Sequence, residues 1–377
     1  MGDSKVSESA EKGNSKFQNF LKKQGIKVSW KTYFIDALGA MALGLFASLL
    51  IGTIINTAAT LIGTNQPGAQ FLDEVGTFAA KASGAAMAVA IASALNAPPL
   101  VLYSVIAVGI AANQLGGAGG PLAVFFIAII AVELGKLVYK LTAVDIIVIP
   151  AVTVISGVGA ATVIAPAIGD FANLAGTAII WATEQQPFLM GIVVSVLMGM
   201  ILTLPISSAA VAAALGITGL AGGAAFAGCC AQMVGFAVMS FKENGWGGLV
   251  SQGIGTSMLQ MPNIVKNPWI WLPPTLASAI TGPLATTVFN LEMNGAPISS
   301  GMGTSGLVGQ IGMITGWFNP SELAIQHGAN AMNPVFMDWF GMILIAFILP
   351  AILTLAIAYP LRKKGIIKSE HLKIKIS

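Results

Sequence analysis

The sequence has few charged residues, few histidines and few cysteines. Charged residues make up only 9% of its 377 residues, whereas a soluble protein has about 25%. The two histidines and the two adjacent cysteines, Cys229 and Cys230, have no spacing typical of a metal site or of a catalytic nucleophile with its base. We therefore expect no metal, no cofactor and no catalytic centre. We predict that the cysteines are small packing residues in a buried helix.

In place of charge, the sequence has long apolar runs and much glycine. Hydrophobic residues account for 55% of the chain and glycine for 44 residues, as expected of helices that pack closely in a bilayer. The first run, over about Tyr33–Ile62, is too long for a signal peptide and is expected to remain as an anchor. We predict an all-α polytopic membrane protein with about ten transmembrane helices, some of them broken or folded into re-entrant hairpins.

The few positive charges are concentrated at the two ends of the chain. Of 18 Lys and Arg residues, seven lie in the first 31 positions and six in the last 16. The positive-inside rule therefore predicts that both termini are cytoplasmic. We divide the chain into a cytoplasmic N-terminal segment over 1–30, a transmembrane domain over 31–362 and a basic cytoplasmic tail over 363–377. Within the first segment, an amphipathic helix over 14–24 is predicted to lie on the membrane surface.

Several apolar runs are interrupted at residues that disfavour a continuous helix. Two consecutive prolines in Asn96–Pro99 predict the end of one helix and the start of another. A second break is predicted at Ala165–Asp170, which would place Asp170 where backbone groups are free. After Pro205, a further span is predicted over about 206–221.

The most unusual stretch is Asn290–Gln310, which is polar and rich in glycine although it lies between apolar runs. Irregular backbone is tolerated within a bilayer only where protein buries it or where it lines a watery cavity. Glu292 lies in this stretch, and a carboxylate at membrane depth costs several kcal/mol unless it is paired or hydrated. We predict that Glu292 binds solute hydroxyls or carries a proton. The alternative is that it is a solvated surface residue.

A short motif occurs twice. Pro205-Ile206-Ser207-Ser208 recurs as Pro297-Ile298-Ser299-Ser300, and each copy precedes a run of small residues. Proline is favoured in the first helical turn and serine caps free N–H groups, so each copy predicts a helix start. Paired helix breaks indicate a transport site, although chance repetition is the alternative. The predicted solute-binding residues are Glu292, Asn294, Ser299, Ser300, Ser207, Ser208, Gln232, Asp170 and Asn263.

Each of these residues also has a plainer explanation. The serines can cap helices without touching a solute. Asn294 can satisfy broken backbone, and Gln232 can join two helices by a hydrogen bond. Asp170 and Asn263 can be ordinary loop residues. Lysine is absent from the glycine-rich insert itself, which favours a neutral solute over an anion.

Three longer motifs carry a resemblance to a known family. They are P-I-S-S-A-A-V-A-A-A-L-G-I-T-G-L-A-G-G-A-A-F-A-G-C-C-A-Q-M-V-G-F, S-Q-G-I-G-T-S-M-L-Q-M-P-N and N-G-A-P-I-S-S-G-M-G-T-S-G-L-V-G-Q. The chain resembles the membrane component IIC of the bacterial phosphotransferase system, in the branch that includes a proposed membrane regulator of perfringolysin production. The resemblance covers nearly the whole chain from about residue 30, and the last motif is the most specific.

The resemblance implies a homodimeric sugar-type permease in the bacterial cytoplasmic membrane, built from a scaffold part and a mobile part. It also implies separate IIA and IIB phosphocarrier partners and an acidic sugar-binding residue, for which Glu292 is the candidate in different surroundings. The expected function is transport of a small polar, carbohydrate-like solute by alternating access. A membrane sensor that binds a ligand without moving it is the alternative, and no nucleic-acid partner is expected.

Overall fold

The computed structural model describes residues 18–63, 66–183 and 185–374. It is 81% helical and contains no strand in these ranges. The predicted fold class, an all-α polytopic membrane protein, is therefore confirmed. The predicted surface helix lies partly outside the described residues, but residues 18–23 are helical as expected.

Among the described residues up to 183, six longer helices follow the short helix at 18–23, and all of them except Pro67–Lys81 contribute side chains to one apolar core. The break predicted at Asn96–Pro99 is present, because one helix ends before Asn96 and the next begins at Pro99. At a separate place, the helices Pro67–Lys81 and Ser83–Ala94 meet at a bend of 47°. Asn96 itself has a left-handed backbone, with φ of 54°. The helices are α1 (Thr32–Thr60), α2 (Pro67–Lys81), α3 (Ser83–Ala94), α4 (Pro99–Leu115), α5 (Gly120–Leu137) and α6 (Asp145–Thr183).

The break predicted at Ala165–Asp170 is wrong. α6 is one helix of 39 residues, with Pro150 and Pro166 inside it. A proline removes a single backbone hydrogen bond, which a long helix packed along α4 and α5 tolerates in a membrane protein. Asp170 is therefore an exposed residue on a continuous helix, with no broken backbone beside it.

The second half is built around a helix that is 94% buried, Gly219–Met239. Its neighbours approach closely because glycines face them. A Cβ on Gly228 would lie 1.8 Å from the Ser195 carbonyl oxygen, so only glycine permits this distance. The helices are α7 (Pro187–Thr203), α8 (Ser208–Ala214), α9 (Gly219–Met239), α10 (Phe241–Val250), α11 (Met261–Lys266), α12 (Leu272–Pro283), α13 (Pro297–Ser300), α14 (Val308–Phe318), α15 (Glu322–Gln326) and α16 (Phe336–Lys363).

Five of the described helices are long and apolar enough to cross a membrane, or six if the bent pair α2–α3 forms one span. α4 and α7 are shorter apolar helices. The span predicted over 206–221 is wrong, because α8 has only seven residues and left-handed glycines follow it at Gly216 and Gly219. At 1.5 Å per residue, such a helix covers about a third of the ~30 Å hydrocarbon core. The total of about ten crossings remains a prediction.

Candidate solute-binding site

The two copies of the repeated motif both begin helices, as predicted. Ser207 is the N-cap of α8, and its hydroxyl oxygen accepts a hydrogen bond from the Ala210 N–H at 3.2 Å. Pro297 is the first residue of α13. We call residues 204–218 the first tip and residues 294–307 the second tip, because each is a short helix flanked by turns.

The second serine of each copy bonds to the opposite tip. The Ser208 hydroxyl donates to the Gly301 carbonyl oxygen at 2.6 Å, and the Ser300 hydroxyl donates to the Ile217 carbonyl oxygen at 2.7 Å. Both serines are buried, at 4% and 0% exposure. The backbones also touch, since a Cβ on Gly301 would lie 2.3 Å from the Ser208 carbonyl oxygen. The two tips therefore form one joined unit.

The first serine of each copy has a different environment. Ser207 and Ser299 line one cavity of about 490 Å³, and α1 also contributes to its lining. Ligand pockets commonly have volumes of about 300–1,000 Å³. The polar residues of the lining are Thr53, Asn56, Thr57, Thr60, Ser207, Ser299 and Thr315.

Most of these polar groups come from α1, and none of those on α1 is among the predicted solute-binding residues. Thr53, Asn56, Thr57 and Thr60 follow the spacing of one helix face. The three threonine hydroxyls donate to the carbonyl four residues earlier, at 2.7, 2.8 and 3.0 Å. Their oxygens therefore keep lone pairs that can accept a hydrogen bond from a solute. A polar stripe at helical spacing in an apolar span was the signal that could have revealed this face.

Asn56 has an unsatisfied polar atom. Its side-chain oxygen is buried and has no hydrogen-bond partner among the described residues. It lies against Gly76 of α2, where a Cβ would come within 1.7 Å of it. A buried polar group without a partner costs about 1–3 kcal/mol, and this cost falls on the contact between α1 and α2, because the oxygen faces Gly76.

The cavity lining is uncharged. None of the described residues around it has an ionisable side chain. Hydroxyls and one amide, set among aliphatic side chains such as Ile298 and Ile311, suit a neutral solute with several hydroxyl groups better than a phosphate or a carboxylate.

Glu292 lies elsewhere. It is exposed, it does not line this cavity, and it accepts a hydrogen bond from the Asn294 side-chain amide at 2.9 Å. The backbone beside it pairs with α9, where Met293 and Gly219 exchange two hydrogen bonds of 3.0 and 2.9 Å. Asn294 is buried, and its side-chain oxygen has no partner in the described part of the chain.

The remaining predicted residues are also outside the cavity. Gln232 joins helices, because its oxygen accepts from the Trp271 indole at 3.0 Å and its amide nitrogen donates to the Thr275 hydroxyl at 3.1 Å. Asn263 contacts the C-terminal segment, and Asp170 lies on α6. The structure thus brings together the four serines at the joined tips, and the other five predicted residues do not line the cavity.

The second tip is connected to the C-terminal segment by hydrogen bonds. The Thr304 hydroxyl donates to the carbonyl of Gly253, the residue after Gln252. Gln260 donates to the Gln252 side-chain oxygen at 2.8 Å and to the Leu372 carbonyl oxygen at 3.0 Å. Leu372 is completely buried, so the segment after α16 is packed onto the protein.

These features define a polytopic helical membrane protein with a hydroxyl-lined cavity at two joined helix tips. A family model described as "Phosphotransferase system, EIIC" matches residues 35–374, nearly the whole chain. The chain belongs to this family, the membrane permease components of sugar transport systems, which implies a sugar substrate and IIA and IIB partners. No curated protein and no solved structure matches the chain.

Proposed function

We propose that this permease binds a neutral, carbohydrate-like solute in the 490 Å³ cavity and moves it by alternating access. The observation that carries the proposal is that Ser207 and Ser299, from two separate helix breaks, line one uncharged cavity with the polar face of α1. Transporters typically hold their substrates at such interrupted helices near the middle of the membrane.

The lining supplies the hydrogen bonds that a sugar needs. Solute hydroxyls donate to the threonine oxygens of α1, whose own protons already bind backbone carbonyls. The Ser207 oxygen accepts from the Ala210 N–H, so its own proton is available to a solute oxygen. Aliphatic side chains cover the C–H faces of the ring.

The position of the cavity supports a rocking mechanism. One wall is α1, which belongs to the apolar core of the first half, and the other wall is the joined tips, the first of which belongs to a core of the second half. Alternating access in many transporters is a rigid-body movement of one bundle against another around a fixed site. Movement of the tips relative to α1 would open the cavity to one side and then to the other.

The finer assignments belong to the same proposal. Phosphorylation of the solute is the work of separate IIA and IIB proteins, the permease is a homodimer in the bacterial cytoplasmic membrane, and both termini face the cytoplasm, where positive charge is retained. A membrane sensor is the second candidate, since binding in this cavity does not require that the solute cross the membrane.

Reconstituted vesicles test the proposal. A panel of radiolabelled sugars is screened for binding to the purified protein and for uptake into proteoliposomes. With the sugar that binds, Ser299→Ala should weaken affinity about fivefold, equivalent to about 1 kcal/mol for one hydrogen bond. Ser156→Ala, which removes a hydroxyl bonded only within α6, is the matched control. Binding without uptake would favour the sensor, and the absence of any sugar binding would contradict both.

A further inference from the structure

A second cavity, of about 320 Å³, lies at the opposite end of α1 from the polar stripe. It is bounded by the start of α1, the end of α3, α11 and the C-terminal segment. Its walls are mainly apolar and include Ile35, Leu43, Leu259 and Pro262. It therefore offers an apolar volume between two halves of the protein that the transport proposal does not use.

Two lysines, Lys266 and Lys373, line this cavity, and one carboxylate, Asp36, lines it as well. Because ammonium groups outnumber carboxylates in the lining, the cavity favours an anionic ligand over a cationic one.

The surroundings place the cavity near a membrane interface. Trp30, just before α1, is 62% exposed, and Trp269, just after α11, is 56% exposed. Exposed tryptophans are enriched at the level of lipid headgroups. Lys31, directly before α1, and Lys373, in the C-terminal segment that packs here, place positive charge at this same end of α1.

We propose that this cavity binds a membrane phospholipid that has an anionic phosphodiester headgroup. The lysine ammonium groups hold the phosphate, and an acyl chain fills the apolar volume. Basic pockets between transmembrane helices are known to select anionic lipids on the side of the membrane where positive charge is retained. A zwitterionic lipid carries a cationic group that the two lysines repel.

The C-terminal segment completes this site. The Asn263 amide donates to the Lys373 carbonyl oxygen at 3.0 Å, and Asn244 accepts from the Ile374 N–H at 2.9 Å and donates to the Leu372 carbonyl oxygen at 2.8 Å. These bonds fix the backbone that carries Lys373, so one of the two ammonium groups is present only while the segment is docked.

Native mass spectrometry of the full-length, delipidated protein tests the proposal. Phosphatidylglycerol and phosphatidylcholine with identical acyl chains are titrated separately, and one phosphatidylglycerol should be retained in preference. The double variant Lys266→Gln, Lys373→Gln should lower its affinity roughly 30-fold, because each lysine near an anionic lipid contributes about one factor of five to six. The control variant Lys81→Gln, Lys242→Gln loses the same charge at exposed positions outside the cavity and should retain the lipid.

Two further experiments test whether the acyl chain contributes to binding in addition to the charged headgroup. Ala40→Leu places a larger side chain in the apolar part of the cavity, and it should reduce lipid retention while both lysines remain. Inorganic phosphate and glycerophosphoglycerol, which lack acyl chains, should not compete at the concentrations that saturate the lipid. Equal retention of the two lipids, equal losses in the cavity and control variants, or full competition by the soluble phosphates would each overturn the proposal.

Discussion

Ser208 and Gly301 are joined by a hydrogen bond of 2.6 Å from the serine hydroxyl to the glycine carbonyl oxygen. The reciprocal bond, from Ser300 to Ile217, measures 2.7 Å. Each tip therefore satisfies a buried carbonyl of the other, and neither can move alone without leaving polar groups unpaired. The tips are expected to move as one body against α1 during transport.

Removal of both reciprocal bonds should loosen the site. Ser208→Ala with Ser300→Ala leaves the Gly301 and Ile217 carbonyls without these donors, at a cost of about 1–3 kcal/mol for each buried group. We expect a lower melting temperature in detergent and weaker solute binding. Ser156→Ala is the control, and unchanged melting of the double variant would show that the tips do not depend on each other.

Substitution of Asn56 should weaken solute binding without lowering the stability of the protein. Asn56→Leu removes the buried oxygen that has no partner among the described residues, so the melting temperature should stay the same or rise. Solute affinity should fall about tenfold, equivalent to about 1.4 kcal/mol. Thr57→Val, which keeps the side-chain volume and removes one hydroxyl from the same lining, should give a smaller loss. Wild-type affinity in Asn56→Leu would exclude the amide from the site.

Substitution of Glu292 tests whether the solute-binding site includes this carboxylate or consists of the cavity lining alone. Because it lies outside the cavity lining, Glu292→Gln should change solute affinity less than twofold when binding is measured by calorimetry. The Asn294 amide keeps an oxygen acceptor in this variant, so the local hydrogen bond is retained. A loss of affinity larger than that of Ser299→Ala would mean that Glu292 reaches the solute in another state of the transport cycle.

A methyl group at Gly301 should force the tips apart. The new Cβ would lie 2.3 Å from the Ser208 carbonyl oxygen and 2.6 Å from its carbon, which are backbone atoms. Overpacking of this kind costs about 1–3 kcal/mol, so Gly301→Ala should lower the melting temperature and abolish uptake. Gly159→Ala on α6, where nothing lies within 4 Å, is the control. Normal uptake by Gly301→Ala would contradict the close approach of the tips.

The sequence predicted the parts of the site that depend on local rules. The starts of α8 and α13 followed from proline and serine at helix N-termini. The break expected at Pro166 was wrong because the packing of α6 along its neighbours outweighs one lost hydrogen bond. The local helix propensity of a sequence does not include the stabilisation that such tertiary packing provides.

The position of Glu292 could not be inferred in the same way. It depends on the pairing of Met293 with Gly219, residues far apart in the chain, and no local pattern specifies that contact. The polar face of α1 was different, because the spacing of Thr53, Asn56 and Thr57 was present in the sequence and only had to be compared with a helical period.

The burial of Leu372 has a practical consequence for anyone who handles this protein. Its charge-rich C-terminus resembles an expendable extension, the kind of end that is trimmed for crystallisation or fused to a purification handle. Cutting after Lys364 would remove the acceptors of Asn244, Gln260 and Asn263 and expose the face that Leu372 covers. Gln260 also donates to Gln252, and the next residue, Gly253, accepts a hydrogen bond from Thr304. Such trimming would therefore disturb the second tip as well as the C-terminal segment.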